Sequence, residues 1–222
     1  MPQHNNEHFP VELSPQLVSI ITTEHYNLQT GRSMTTAETN GRASLFVGAV
    51  SSGLIALTFV GQISHLGTAF FIFSLVVIPT LVFMGLITFE RVLQSGSTDI
   101  IYARGVNRIR HLYLEYAPQL RPYIMLPAHD DRGETLSHEV MSISWVQVFF
   151  NAAGMIAVIN SVLIGSFVGL LLAVFSLPLW ICTSVGVVAF LVSVVIHQRY
   201  QWGQWMRLER NLPILFPSQS EE

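Results

Sequence analysis

Four polar side chains near the middle of this 222-residue chain fall at helical spacing: Arg104, Arg108, His111 and Glu115, at i, i+4, i+7 and i+11. On a helix they share one face. Arg offers a fork of N–H donors that matches phosphate or carboxylate oxygens, so the face could accept an anionic ligand such as a nucleotide phosphate. The commoner fate of such a stripe is contact with solvent or lipid headgroups, and both readings stand at the level of sequence. A second group, His129, Asp130, Asp131, His138 and Glu139, holds metal-ligand types at no recognised ligand spacing, and no metal site is expected from it. Glycine-rich phosphate loops, paired catalytic acids and a nucleophile elbow are missing, so neither a catalytic centre nor a cofactor is expected. Cys182 is the single cysteine, which excludes an intramolecular disulfide and a thiolate metal cluster.

Other polar groups sit within long apolar stretches. Asn151 and Asn160 are nine residues apart, nearly opposite on a helix, and cannot form one site alone. They read either as hydrogen-bonding glue between helices or, Asn160 above all, as lining of a water-filled path. Small residues recur every fourth position at Ala153, Ala157, Ser161, Gly165, Gly169 and Ala173, and again at Ser44, Gly48, Ser52 and Ala56. Such stripes let helix backbones approach closely, either within one chain or between copies in a homo-oligomer.

The elements that must position these residues follow from the charge map. Half the residues are hydrophobic and 11% are charged, against about a quarter in an ordinary soluble domain. No Asp, Glu, Lys or Arg occurs from Ala43 to Phe89 or from Val140 to Gln198. A helix needs about 20 apolar residues to cross a bilayer, so each stretch predicts a hairpin of two spans. Gly61 to Gly67 divides the first into helices near 43–62 and 67–89, and Ser176-Leu-Pro178 divides the second near 147–175 and 178–197. Pro79 interrupts the second span's hydrogen bonding and predicts at most a kink.

All 11 basic residues are Arg: two precede the first span, six lie between the second and third, and three follow the fourth. The positive-inside rule places both termini and the 90–139 loop in the cytoplasm, with Trp145, Trp202 and Trp205 at the inner interface and Trp180 at the outer one. Ser14-Pro15 reads as a helix start, Glu38 and Arg42 as an i,i+4 pair leading into the first span, and 198–222 as an interfacial tail. The net charge of −3 contains no basic run, so no nucleic-acid partner is expected.

The segment Ala37-Glu-Thr-Asn-Gly-Arg-Ala-Ser-Leu-Phe-Val-Gly48 resembles the entry to the first membrane helix of small bacterial effectors of the SLATT and Pycsar-effector type. There a polar helix with a basic residue, here Arg42, runs into a Ser/Ala-rich span. The resemblance, over about residues 20–120, implies a membrane-impairing effector of anti-phage defence. This chain differs by a second hairpin and by having no separate sensor domain. It also resembles uncharacterised four-span proteins of actinobacteria. The combined expectation is an all-α, single-domain bundle of four spans with cytoplasmic helical extensions, homo-oligomeric in a bacterial plasma membrane, its partners being lipid, further copies and a cytoplasmic protein or anionic ligand. A non-enzymatic effector or channel-like assembly is the leading function. A scaffold for other membrane proteins and a neutral-solute conduit are the alternatives.

Overall fold

The computed structural model describes residues 14–131, Thr135 and 151–218. Among them there is no strand, and four helices are long and apolar enough to cross a membrane. Helix α1 spans Pro15–Ile63, α2 Thr68–Tyr116, α3 Ala152–Val174 and α4 Leu179–Asn211, with a short 3-10 turn at Pro118–Tyr123. The fold is an all-α membrane bundle built from two helical hairpins.

Local chemistry accounts for the boundaries. At the start of α1, the Ser14 hydroxyl accepts the Leu17 N–H at 3.3 Å and Pro15 occupies the first helical position, where its missing N–H costs nothing. The α1–α2 turn is Ser64 to Gly67. His65 and Leu66 both take positive φ, 50° and 56°, and the Leu66 N–H reaches back to the Gly61 carbonyl at 2.9 Å, closing the helix end. In the second hairpin Ser176, at φ 59°, reverses the chain and Pro178 precedes α4. Both turns fall where the breaks in the charge-free stretches predict them.

Helices α1 and α2 each hold 49 residues, about 74 Å of helix against a hydrocarbon core of about 30 Å, so both overrun the bilayer. They stay paired over that length. Outside the membrane segment Arg32 of α1 grips Asp99 of α2 through two bonds of 3.0 and 3.1 Å, while within α1 Arg42 pairs with Glu38 at 2.8 Å. Helix α2 passes through Pro79 without a break, and α4 runs unbroken through Arg199, Trp202 and Trp205 to Asn211. The expected interfacial tail is therefore, up to that point, a continuation of the fourth span.

The two hairpins meet along α2 and α3, while α1 and α4 lie on the outside. Phe46, Ile78, Leu81, Phe89, Val92, Ile156, Ala157 and Leu163 form the shared core. That core is thin: at most 33% of any apolar helical window is buried within the protein. The remaining surface suits lipid or another protein, because burying apolar groups in hydrocarbon removes the penalty that water would impose.

Candidate functional site

Two polar constellations stand out, one inside the bundle and one at the end away from the hairpin tips. The inner one joins α3, α4 and α2. Asn160, Ser161, Ser193 and His197 are all buried, and the His197 ring lies edge-on to Phe89 at 5.0 Å. The His197 Nδ1–H donates to the Ser193 carbonyl at 2.8 Å, since a carbonyl can only accept. Nε2 is then the acceptor, facing the Asn160 amide at 3.5 Å, and the hydroxyls of Ser193 and Ser161 bond at 2.9 Å. On its other side the Asn160 carbonyl oxygen presses on Gly85, where any Cβ would collide with it and with Phe46. Glycine at 85 is thus what admits the amide between α2 and α3.

This arrangement binds helices together. Asn160, read from sequence as interhelical glue or as the lining of a water-filled path, is fully enclosed in protein, and towards the tips the neighbouring core turns apolar at Leu81, Ile78 and Leu163. Asn151 acts differently, capping α3 with a side chain that accepts the Gly154 N–H at 2.7 Å. One turn inward from His197, Gln201 is fully buried with Gln198 beside it, and neither amide finds a hydrogen-bond partner among the described residues. Sequence reasoning missed Ser193, His197, Gln198 and Gln201. The signal was there in the i,i+4 run Ser193, His197, Gln201 at the end of the second charge-free stretch.

The second constellation is built on the helix face that the sequence offers to an anion or to solvent. Arg104 is buried and binds both carboxylate oxygens of Glu209 at 2.7 and 2.6 Å. Arg108 binds Asp130 at 2.7 Å, and the His111 ring stacks on Phe216 at 4.2 Å. All three candidate ligand residues are brought together, but each engages the chain itself: the two arginines hold its own carboxylates and His111 an aromatic ring. Around them Asn107 donates to the His129 carbonyl at 2.9 Å and Arg110 to that of Pro127 at 3.3 Å, tying the loop after the 3-10 turn to α2. Among the described residues no three His, Cys, Asp or Glu side chains gather as a metal site would need; His138 and Glu139 lie outside them.

Burial opposes the charge on Asp130, but the N–H groups of Leu215 and Phe216 and the Arg108 guanidinium outweigh it and hold its carboxyl below the usual range. A depressed folded value means that the stabilisation is complete above the ordinary carboxylate pKa and is lost as pH falls through the folded one. The segment after α4 should therefore stay docked through mildly acidic pH and release only in strong acid. Hydrogen exchange at Leu215 and Phe216 across a pH series, corrected for intrinsic rates, measures this; release near neutrality would contradict it.

The two small-residue stripes go to different places. On α3, Ala157, Ser161 and Gly165 are buried and Gly169 faces α4, where a Cβ on it would meet the Cys182 carbonyl at 3.2 Å; Ala173 is half-buried. On α1, Ser44, Gly48 and Ser52 are exposed and Ala56 half-buried, on the face turned away from α2. Trp180 is 70% exposed near the start of α4 and Trp202 is 39% exposed further along it. About 33 Å of helix separates them, close to the spacing of two bilayer interfaces. Trp205 is half-buried, and Trp145 lies outside the described residues. Comparison with protein-family models, curated proteins and solved structures returns no match.

Proposed function

We propose that the chain is a subunit of an oligomeric membrane assembly, a channel-like or membrane-impairing effector that acts through helix association rather than catalysis. The outward face of α1 carries this reading. Ser44, Gly48 and Ser52 are exposed along it, and a Cβ placed on Gly41 or Gly48 would meet nothing within 4 Å. The line continues inward at helical spacing through Ala37, Met34, Thr30 and Tyr26, all exposed. The outward faces of α2 and α4 present large apolar side chains throughout, Ile72, Val76 and Phe83 on the one and Val188, Leu191, Val195 and Ile196 on the other, whereas on α1 such groups, Ile55 and Phe59, follow the stripe towards the tip. Large apolar side chains suit lipid, whereas a small polar seam suits the close approach of another helix. A second copy's α1 is the proposed occupant.

The resemblance of Ala37–Gly48 to bacterial membrane effectors supplies the expected output, loss of membrane integrity in a bacterial plasma membrane. Extracted into a mild detergent, the protein should show a defined multiple of its 24.8 kDa mass, and reconstituted into liposomes it should leak dye once triggered. Gly48→Leu should lower the oligomer mass while leaving the protomer's unfolding temperature unchanged, because the site has no intrachain neighbour. A monomeric wild type that never leaks would remove the reading. Copurification of a different protein in fixed ratio would favour the scaffold alternative instead.

Both termini are proposed to be cytoplasmic, on the Arg distribution. In a Cys182→Ala background, Ser64→Cys should react with an impermeant thiol reagent added to intact cells and Ser137→Cys should not. The reverse pattern would invert the topology.

A further inference from the structure

The chain after α4 is held mainly through its backbone. Residues 212–218 have no regular structure and lie across α2 and the 127–131 loop. Five of the seven, Leu212, Pro213, Leu215, Phe216 and Ser218, are gripped through the main chain. Arg104 donates to the Leu212 carbonyl at 3.4 Å and Arg108 to that of Pro213 at 2.5 Å. The Asp130 carboxylate accepts the Leu215 and Phe216 N–H groups at 3.1 and 2.8 Å, its own N–H donates to the Phe216 carbonyl at 3.1 Å, and Asp131 accepts the Ser218 N–H at 2.5 Å. One side chain adds specificity: Phe216 stacks on His111, which is itself edge-on to His129 at 5.5 Å.

Main-chain bonds to a segment without regular structure plus one aromatic anchor are a means by which a surface can hold a peptide. The segment is not part of the core, since Ile214 and Leu215 keep 47% and 55% of their surface exposed. Its occupancy is also a local matter. The tail begins directly where α4 ends, and Glu209 on that last turn is pinned by Arg104, so no slack exists for the tail of another copy to reach across. Within the surface Arg104 is neutralised by Glu209 and Arg108 by Asp130, which favours an uncharged occupant, and Leu-Pro-Ile-Leu-Phe-Pro-Ser is uncharged.

We propose that Arg104, Arg108, His111, Asp130 and Asp131 form a binding site for an uncharged peptide segment with an aromatic anchor, occupied in cis by residues 212–218 and open to a protein partner's segment of that chemistry when the tail leaves. Because Arg104 is paired with Glu209 on α4 and not with the tail, exchange would free residues 212–218 while α2 and α4 stay joined, in a monomer or an oligomer alike.

The test uses the full chain with Cys182→Ala and Ser218→Cys; the bond from residue 218 to Asp131 comes from its backbone N–H, which the substitution keeps. Alkylation of the new thiol should be slow at rest and should accelerate saturably when the free peptide Leu-Pro-Ile-Leu-Phe-Pro-Ser is added, with no response to a scrambled peptide. Adding Arg108→Ala should make it fast without peptide. Independently, a fluorescent copy of the peptide should bind the full chain carrying Phe216→Ala more tightly than wild type. Fast alkylation at rest would mean that the tail is not held. Slow alkylation indifferent to peptide, with no binding of the fluorescent copy, would make the segment a fixed part of the fold. Either result overturns the proposal.

Discussion

Gly165→Leu should open the second hairpin and lower the protein's stability more than any other single substitution along the α3 stripe. A Cβ on Gly165 would lie 2.7 Å from the Gly186 carbonyl oxygen and 2.9 Å from the Phe190 Cβ. The contact is reciprocal, since a Cβ on Gly186 would lie 2.8 Å from the Gly165 carbonyl. These neighbours are backbone or attached directly to it, so no rotamer change makes room and the helices must separate. Overpacking of this kind costs about 1–3 kcal/mol, and here the upper end is expected because rigid backbone resists. Separation also stretches the Ser161–Ser193 bond of 2.9 Å and the Asn160–His197 contact of 3.5 Å one turn away. Each such bond adds only about 0.6 kcal/mol in a membrane protein. Thermal unfolding in detergent should place Gly165→Ala between wild type and Gly165→Leu. Gly203→Ala, where a Cβ meets nothing within 4 Å, is the control. Equal unfolding temperatures for Gly165→Leu and wild type would show that α3 and α4 are not in backbone contact.

Arg104→Ala should have an effect of similar size by another route. Arg104 is 2% exposed and Glu209 19%, so removing the guanidinium leaves a carboxylate largely enclosed without its counter-charge. Breaking a buried pair in this way costs about 3–5 kcal/mol, and the partial exposure of Glu209 puts the expectation at the lower end. The bond to the Leu212 carbonyl is lost as well. Replacing both partners, Arg104→Leu with Glu209→Leu, should recover much of that stability, because no stranded charge remains. Denaturant unfolding of the two single variants and the double variant measures the coupling. A loss below about 0.5 kcal/mol for Arg104→Ala would place the pair in water, where surface substitutions have effects of that size.

Much of the fold was legible in the sequence because its causes are local. The charge-free stretches located the hairpins, and the turn formers at 61–67 and 176–178 located their tips, since a helix end needs particular residues within a few positions of itself. Asn151 and Asn160 show where such reading runs out. Both are amides on apolar ground, yet one caps a helix through Gly154 and the other is enclosed between Gly85 and His197. The cap was accessible from spacing. The enclosure was not, because Gly85 and Asn160 are brought together only by the packing of one hairpin on the other.

The same distinction decides the Arg face. Arg104, Arg108 and His111 share a face by helix geometry alone, so their proximity was predictable. Their partners Glu209, Asp130 and Phe216 come from segments distant in the chain, and only the docking of α4 and the 127–131 loop turned an open anion face into an occupied one. The stripes are the plainest case. Ser44, Gly48, Ser52 and Ala56 repeat the spacing of Ala157, Ser161, Gly165 and Gly169, and by itself the sequence determined that both helices could be approached closely. Which of them is approached within the chain was settled by tertiary structure. The α3 stripe meets Gly186 and Cys182 of α4 while the α1 stripe turns outward, because helix pairing depends on the complementary face of a neighbour, and that neighbour is not encoded in the stripe itself.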